Sequence, residues 1–123
     1  MRSISLFLKS TQQALFLGLF LFFATIITAN GQSATEGAAL YKQKCTSCHG
    51  INNVVIGPAL KDVDQRHTEE WLIPWIQNSQ KMIAAGDAKA VALANQYKPN
   101  VMTAFPELSA DDIKGILAYI KEE

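Results

Sequence analysis

Apolar residues recur at helical spacing in several parts of this chain, and one part is apolar almost throughout. Near the C-terminus Ile113, Ile116, Leu117 and Ile120 follow i, i+3, i+4, i+7, one face of a helix that Ser109, Asp111 and Asp112 are placed to start. Trp71, Leu72, Trp75 and Ile76 form a similar face after Thr68, Glu69 and Glu70, a good N-cap with acids in the first turn. Pro74 interrupts that pattern, which predicts a kink there or a later start, because proline removes a backbone donor. Gly86 and Asp87 end one helix and cap the next, whose alanines at 88, 90, 92 and 94 favour helix as far as Tyr97. Lys98-Pro99-Asn100 stops it, and Val101 to Pro106 reads as irregular. Earlier, Ser33-Ala34-Thr35-Glu36 has the S-x-x-E spacing of a capping box, opening a helix that carries Ala38, Leu40 and Tyr41 and ends near Lys42 and Lys44. The expectation is an all-α chain of about four short helices.

From Ala14 to Ala29 the chain is nearly all Leu, Phe, Ile, Ala and Gly. Arg2 and Lys9 precede that run, and the small-residue stretch Thr28-Ala29-Asn30-Gly31 follows it. A basic start, an apolar run and small residues read as a secretory signal over residues 1–31, leaving residues 32–123 as one domain. The alternative is a retained membrane anchor, for which the run falls short of the roughly 20 residues a span needs. Removing Arg2 and Lys9 would leave 9 basic against 11 acidic residues. That balance gives no reason to expect a nucleic-acid partner, although Lys42 and Lys44 could form a local basic patch.

The chemistry concentrates in Cys45-Thr46-Ser47-Cys48-His49. In C-x-x-C-H each thiol can add across one vinyl group of a haem, and the adjacent imidazole can reach the iron. A redox dithiol would want a surrounding βαβ pattern, and a zinc site would want ligands beyond His67. These are the only two cysteines, so no other thiols can complete a framework with them.

From about Thr35 onward the chain resembles the class I cytochromes c, small monohaem proteins. The resemblance rests on four landmarks in order: the helix running into Cys45-x-x-Cys48-His49, then Gly57-Pro58-Ala59-Leu60, a methionine loop at Met102, and a closing helix ending Ile116-Leu117-Ala118-Tyr119-Ile120. It implies a small all-α fold wrapped around one haem c bound through Cys45 and Cys48, with His49 and Met102 as axial ligands. Met82 is the second methionine candidate, and Thr103 stands where the family more often has proline. The resemblance further implies that the Pro58 carbonyl accepts the other N–H of His49, that Leu60 packs on the haem, and that Gly37 and Tyr41 let the first helix cross the last one at Ile116 and Tyr119. One of the tryptophans, Trp71 or Trp75, could also meet a propionate. His67 reads as exposed.

By that resemblance the chain is an electron carrier rather than an enzyme, attached to its haem outside the bacterial inner membrane and passing electrons between redox protein partners. Two alternatives remain open at this stage. One is a membrane-held relay subunit of a respiratory complex, and the other is a haem sensor or peroxidase-type protein whose sixth ligand is displaceable.

Overall fold

A computed structural model describes residues 31–123. Its helices are α1 (Gly31–Lys44), α2 (Val63–Arg66), α3 (Glu69–Ala84), α4 (Ala88–Tyr97) and α5 (Ala110–Glu122). Among the described residues there is no strand, only an isolated antiparallel bridge between His49 and Val54. None of their helices is long and apolar enough to cross a membrane. The expected signal segment lies outside the described residues but for its last residue, Gly31. The one-turn α2 adds to the four helices anticipated.

The centre of the fold is the crossing of α1 over α5. The stripe Ile113, Ile116, Leu117 and Ile120 is buried, as its spacing predicts, together with Tyr41, Val63, Leu72 and Leu108. Each such aliphatic side chain contributes about 1.5–3 kcal/mol of burial. Close approach depends on Gly37, where a Cβ would overlap the Gly115 carbonyl and come within 2.7 Å of the Ile116 nitrogen. One turn further on, the rings of Tyr41 and Tyr119 meet at 5.4 Å. The expected partners of this crossing are therefore the observed ones. At the start of α5, Ser109 accepts from the Asp112 N–H at 3.1 Å and donates its own backbone N–H to Asp112 at 2.9 Å, a reciprocal cap.

Two expectations need correction. Ser33 does not open α1, because the helix already runs from Gly31. S-x-x-E marks a permitted start, and where the preceding residues are helical there is no frayed end to cap. In α3 the interruption falls at Asn78 (φ −163°, ψ 85°), not at Pro74. Pro74 removes a single donor near the beginning of the helix, and α3 still starts at Glu69, although the Thr68 side chain makes no cap bond. At Asn78 the side-chain oxygen accepts from the Lys81 N–H at 3.0 Å, so the asparagine caps a second helical segment inside α3.

The end of α3 matches its signal. Gly86 takes a left-handed φ of 79°. Its N–H bonds to the Ile83 carbonyl, and that of Asp87 to the Met82 carbonyl, which closes a Schellman turn. Asp87 then serves two helices, accepting from the Ala90 N–H at 2.8 Å and from the Trp71 indole at 3.2 Å. Those bonds, the Ala90 one foremost, hold its carboxyl below the usual value.

Candidate functional site

The C-terminal turn of α1 delivers the C-x-x-C-H segment. The Cys45 N–H continues the helix to the Tyr41 carbonyl, and the Cys48 and His49 N–H groups both reach back to the Cys45 carbonyl at 3.1 and 2.9 Å. The two thiols and the imidazole thus share one tight turn. The chain then folds back on itself: Ile56 and Gly57 donate to the Cys48 carbonyl, Leu60 to Gly50 and Lys61 to Ile51. Arg66 secures this return by donating to the Ala59 carbonyl at 2.9 Å and to that of Lys61.

His49 is held from several directions. Its Nδ1 lies 2.8 Å from the Pro58 carbonyl oxygen, which can only accept, so Nδ1 donates there and the lone pair of the neutral ring falls on Nε2. Gly57 lies flush against the ring: a Cβ there would overlap Cε1 and stand 2.9 Å from Nδ1 and 3.0 Å from Nε2. The Tyr41 hydroxyl donates to the His49 carbonyl at 3.1 Å. Burial is the main reason the Tyr41 hydroxyl titrates above its ordinary value.

Met102 comes from a different part of the chain, the loop between α4 and α5. It is half-buried, and its carbonyl stands 3.5 Å from the Ser79 hydroxyl. Beyond it the Phe105 N–H donates to the Gln77 carbonyl at 3.1 Å, and the Gln77 side-chain amide donates to the Leu108 carbonyl at 2.9 Å. Lys44, next to Cys45, reaches Glu107 at 2.8 Å, with its ammonium 5.8 Å from the Phe105 ring centre. Lys44 is therefore paired with an acid. Met82, the other candidate, sits half-buried in the last part of α3.

His67 is not exposed as anticipated. It is half-buried and stacks on Trp71 at 4.4 Å, and Trp71 stacks on Trp75 at 5.0 Å. Burial first, then the Arg66 and Lys89 charges, lower its pKa. The Trp71 indole N–H is committed to Asp87.

The thiols are unpaired, and burial pushes Cys45 up to about 11, outweighing the lowering effect of Lys44. A redox dithiol attacks through a thiol of lowered pKa, and Cys45 is shifted the other way. The turn suits an apolar prosthetic group better. Among the described residues the exposed large apolar side chains are Val54, Val55, Ile56 and Val101, which flank His49 on one segment and Met102 on the other. Two thiols, a histidine with a free Nε2, a soft thioether and apolar residues bordering both segments fit a haem.

Fold and site together define a small all-helical haem protein. The sequence profile of the family described as Cytochrome c matches residues 34–122, and the chain belongs to that family, whose members bind haem c and serve in electron transfer. Among solved structures it is similar to a cytochrome c from Rhodothermus marinus, with 27% identity, a TM-score of 0.63, and coverage of 76% of this chain and 78% of that one. An engineered cytochrome c from the same organism, bound to a carbene intermediate, is 29% identical, with a TM-score of 0.63 over the same shares of both chains. Comparison with curated proteins found no match.

Sequence reasoning did not single out Arg66, Gln77, Ser79 or the Lys44–Glu107 pair. Only Lys44 carried a signal, through its place beside Cys45.

Proposed function

We propose that this chain is an exported one-electron carrier that holds a single haem c through Cys45 and Cys48, with His49 and Met102 as axial ligands. The observation that carries this reading is the His49 ring, fixed between the Pro58 carbonyl and Gly57 with Nε2 left free. A haem held here would supply a one-electron ferric/ferrous couple.

The rest of the work falls to the chain. Cys45 and Cys48 would hold the haem as thioethers, each S–H adding across one vinyl double bond with its hydrogen going to the other vinyl carbon. The Pro58 carbonyl keeps the Nδ1 proton in place, which orients the imidazole and makes Nε2 a better donor. The Met102 thioether is soft and favours ferrous iron, which raises the reduction potential.

With His49 and Met102 both bound to the iron, no vacant site would remain for a substrate, which favours carrying electrons over catalysing a reaction. Its partners are donor and acceptor redox proteins that meet it briefly across a small surface. Its place is extracytoplasmic, with residues 1–31 as a cleaved signal or an anchor to the inner membrane. The engineered Rhodothermus protein, bound to a carbene intermediate, favours a second reading in which this scaffold can open its sixth position.

Carbon monoxide separates the two readings. The reduced holoprotein at neutral pH is expected to show no spectral change under carbon monoxide, because both axial positions are filled. Immediate formation of a carbonyl complex would replace the carrier with a sensor or peroxidase-type protein.

A further inference from the structure

The break in α3 does more than bend a helix. A continuous helix would use the Gln77 carbonyl internally, four residues on. Because Asn78 leaves the helical conformation and caps the segment that follows, the Gln77 carbonyl instead receives the Phe105 N–H at 3.1 Å. The Gln77 side chain reaches the same loop a second time, donating to Leu108 at 2.9 Å. Ser79, only 1% exposed, faces the Met102 carbonyl from the other side of the break. The residues on either side of Asn78 thus grip the methionine loop at Met102, Phe105 and Leu108.

We infer that Gln77 is a positioning residue for Met102: the Asn78 break turns it toward the loop, and its two bonds set how firmly the loop keeps the methionine at the sixth position. The inference rests on Met102 being that ligand. Gln77 acts through the loop and touches no reacting atom. The Lys44–Glu107 pair closes the loop from the α1 side, but its Glu107 end is exposed to solvent, which weakens its hold. Gln77 is half-buried, and both of its bonds are made to backbone, so the loop cannot slide without breaking one of them.

An incoming ligand must displace the methionine, so its apparent affinity reports the loop-open population. Imidazole binding to the ferric holoprotein supplies that measure. In Gln77→Leu, which removes the side-chain donor while keeping much of the bulk, imidazole should bind about fivefold more tightly, the factor one neutral hydrogen bond contributes. Ile120→Val, a mild change in the α1–α5 core remote from the loop, should lower the denaturation midpoint and leave imidazole affinity at the wild-type value. Unchanged imidazole affinity in Gln77→Leu overturns the positioning role, as does an equal rise in Ile120→Val, which would make the effect one of global stability. Met102→Ala separates this from failure of the ligand assignment. If it binds imidazole with wild-type affinity, Met102 never held the sixth position, and the inference falls with that reading. If it binds far more tightly while Gln77→Leu stays at wild type, the ligand stands and only the role of Gln77 is lost.

Discussion

Gly37→Ala is expected to lower the thermal midpoint of the holoprotein by roughly 10 °C, equivalent to about 2 kcal/mol in a domain of this size. Helix propensity alone predicts the opposite sign, since alanine exceeds glycine by about 1 kcal/mol inside a helix. Packing decides the outcome. The new Cβ would overlap the Gly115 carbonyl carbon and oxygen, backbone atoms of the opposing helix that cannot turn aside. The helices would have to separate, and overpacking of this kind costs about 1–3 kcal/mol or more. Separation would also loosen Ile113, Ile116, Ile120 and the Tyr41–Tyr119 contact, which lie along the same crossing. Thermal unfolding followed by far-UV circular dichroism checks this, and a midpoint unchanged or raised would show that the crossing tolerates a methyl group.

Gly57→Ala is expected to damage the iron site more than the fold. Its Cβ would overlap the His49 Cε1, well inside contact distance, and neither side can retreat easily. The Gly57 N–H is bound to the Cys48 carbonyl at 2.8 Å, and the ring is bound to the neighbouring Pro58 carbonyl at 2.8 Å. The imidazole would have to rotate, giving up the Pro58 bond and the orientation of Nε2. The expected result is a low yield of holoprotein whose ferric spectrum contains a substantial high-spin component. Far-UV circular dichroism of the fraction that does load haem should remain helical. A fully low-spin variant at normal yield would mean that the ring has room the present geometry does not give it.

The helices were largely legible because their causes are local. The α5 stripe, the Asp87 and Ser109 caps and the Ala88–Tyr97 span follow from residues within a few positions of one another. The His49–Pro58 bond was legible for a related reason: C-x-x-C-H and the Gly57-Pro58 pair lie close in sequence, and the loop joining them is short. What escaped notice depends on distant partners. Lys44 meets Glu107 across 63 positions and Gln77 meets Leu108 across 31, and neither pairing leaves a mark on a single sequence. Pro74 pointed to the right helix and the wrong residue. An asparagine whose side chain competes for backbone donors broke α3 where the loop could use the freed carbonyl. His67, polar and next to Arg66, looked like surface, but the flat face of Trp71 covers it.

The proposed carrier role stands on His49 and Met102 holding the iron together. Its most direct test is the visible spectrum of the oxidised holoprotein, read for the weak long-wavelength band that a methionine-to-ferric-iron bond produces. The band is expected in the wild type and in Met82→Ala, and should be lost in Met102→Ala. A high-spin wild type without the band, or a band that survives in Met102→Ala and disappears in Met82→Ala, would contradict it.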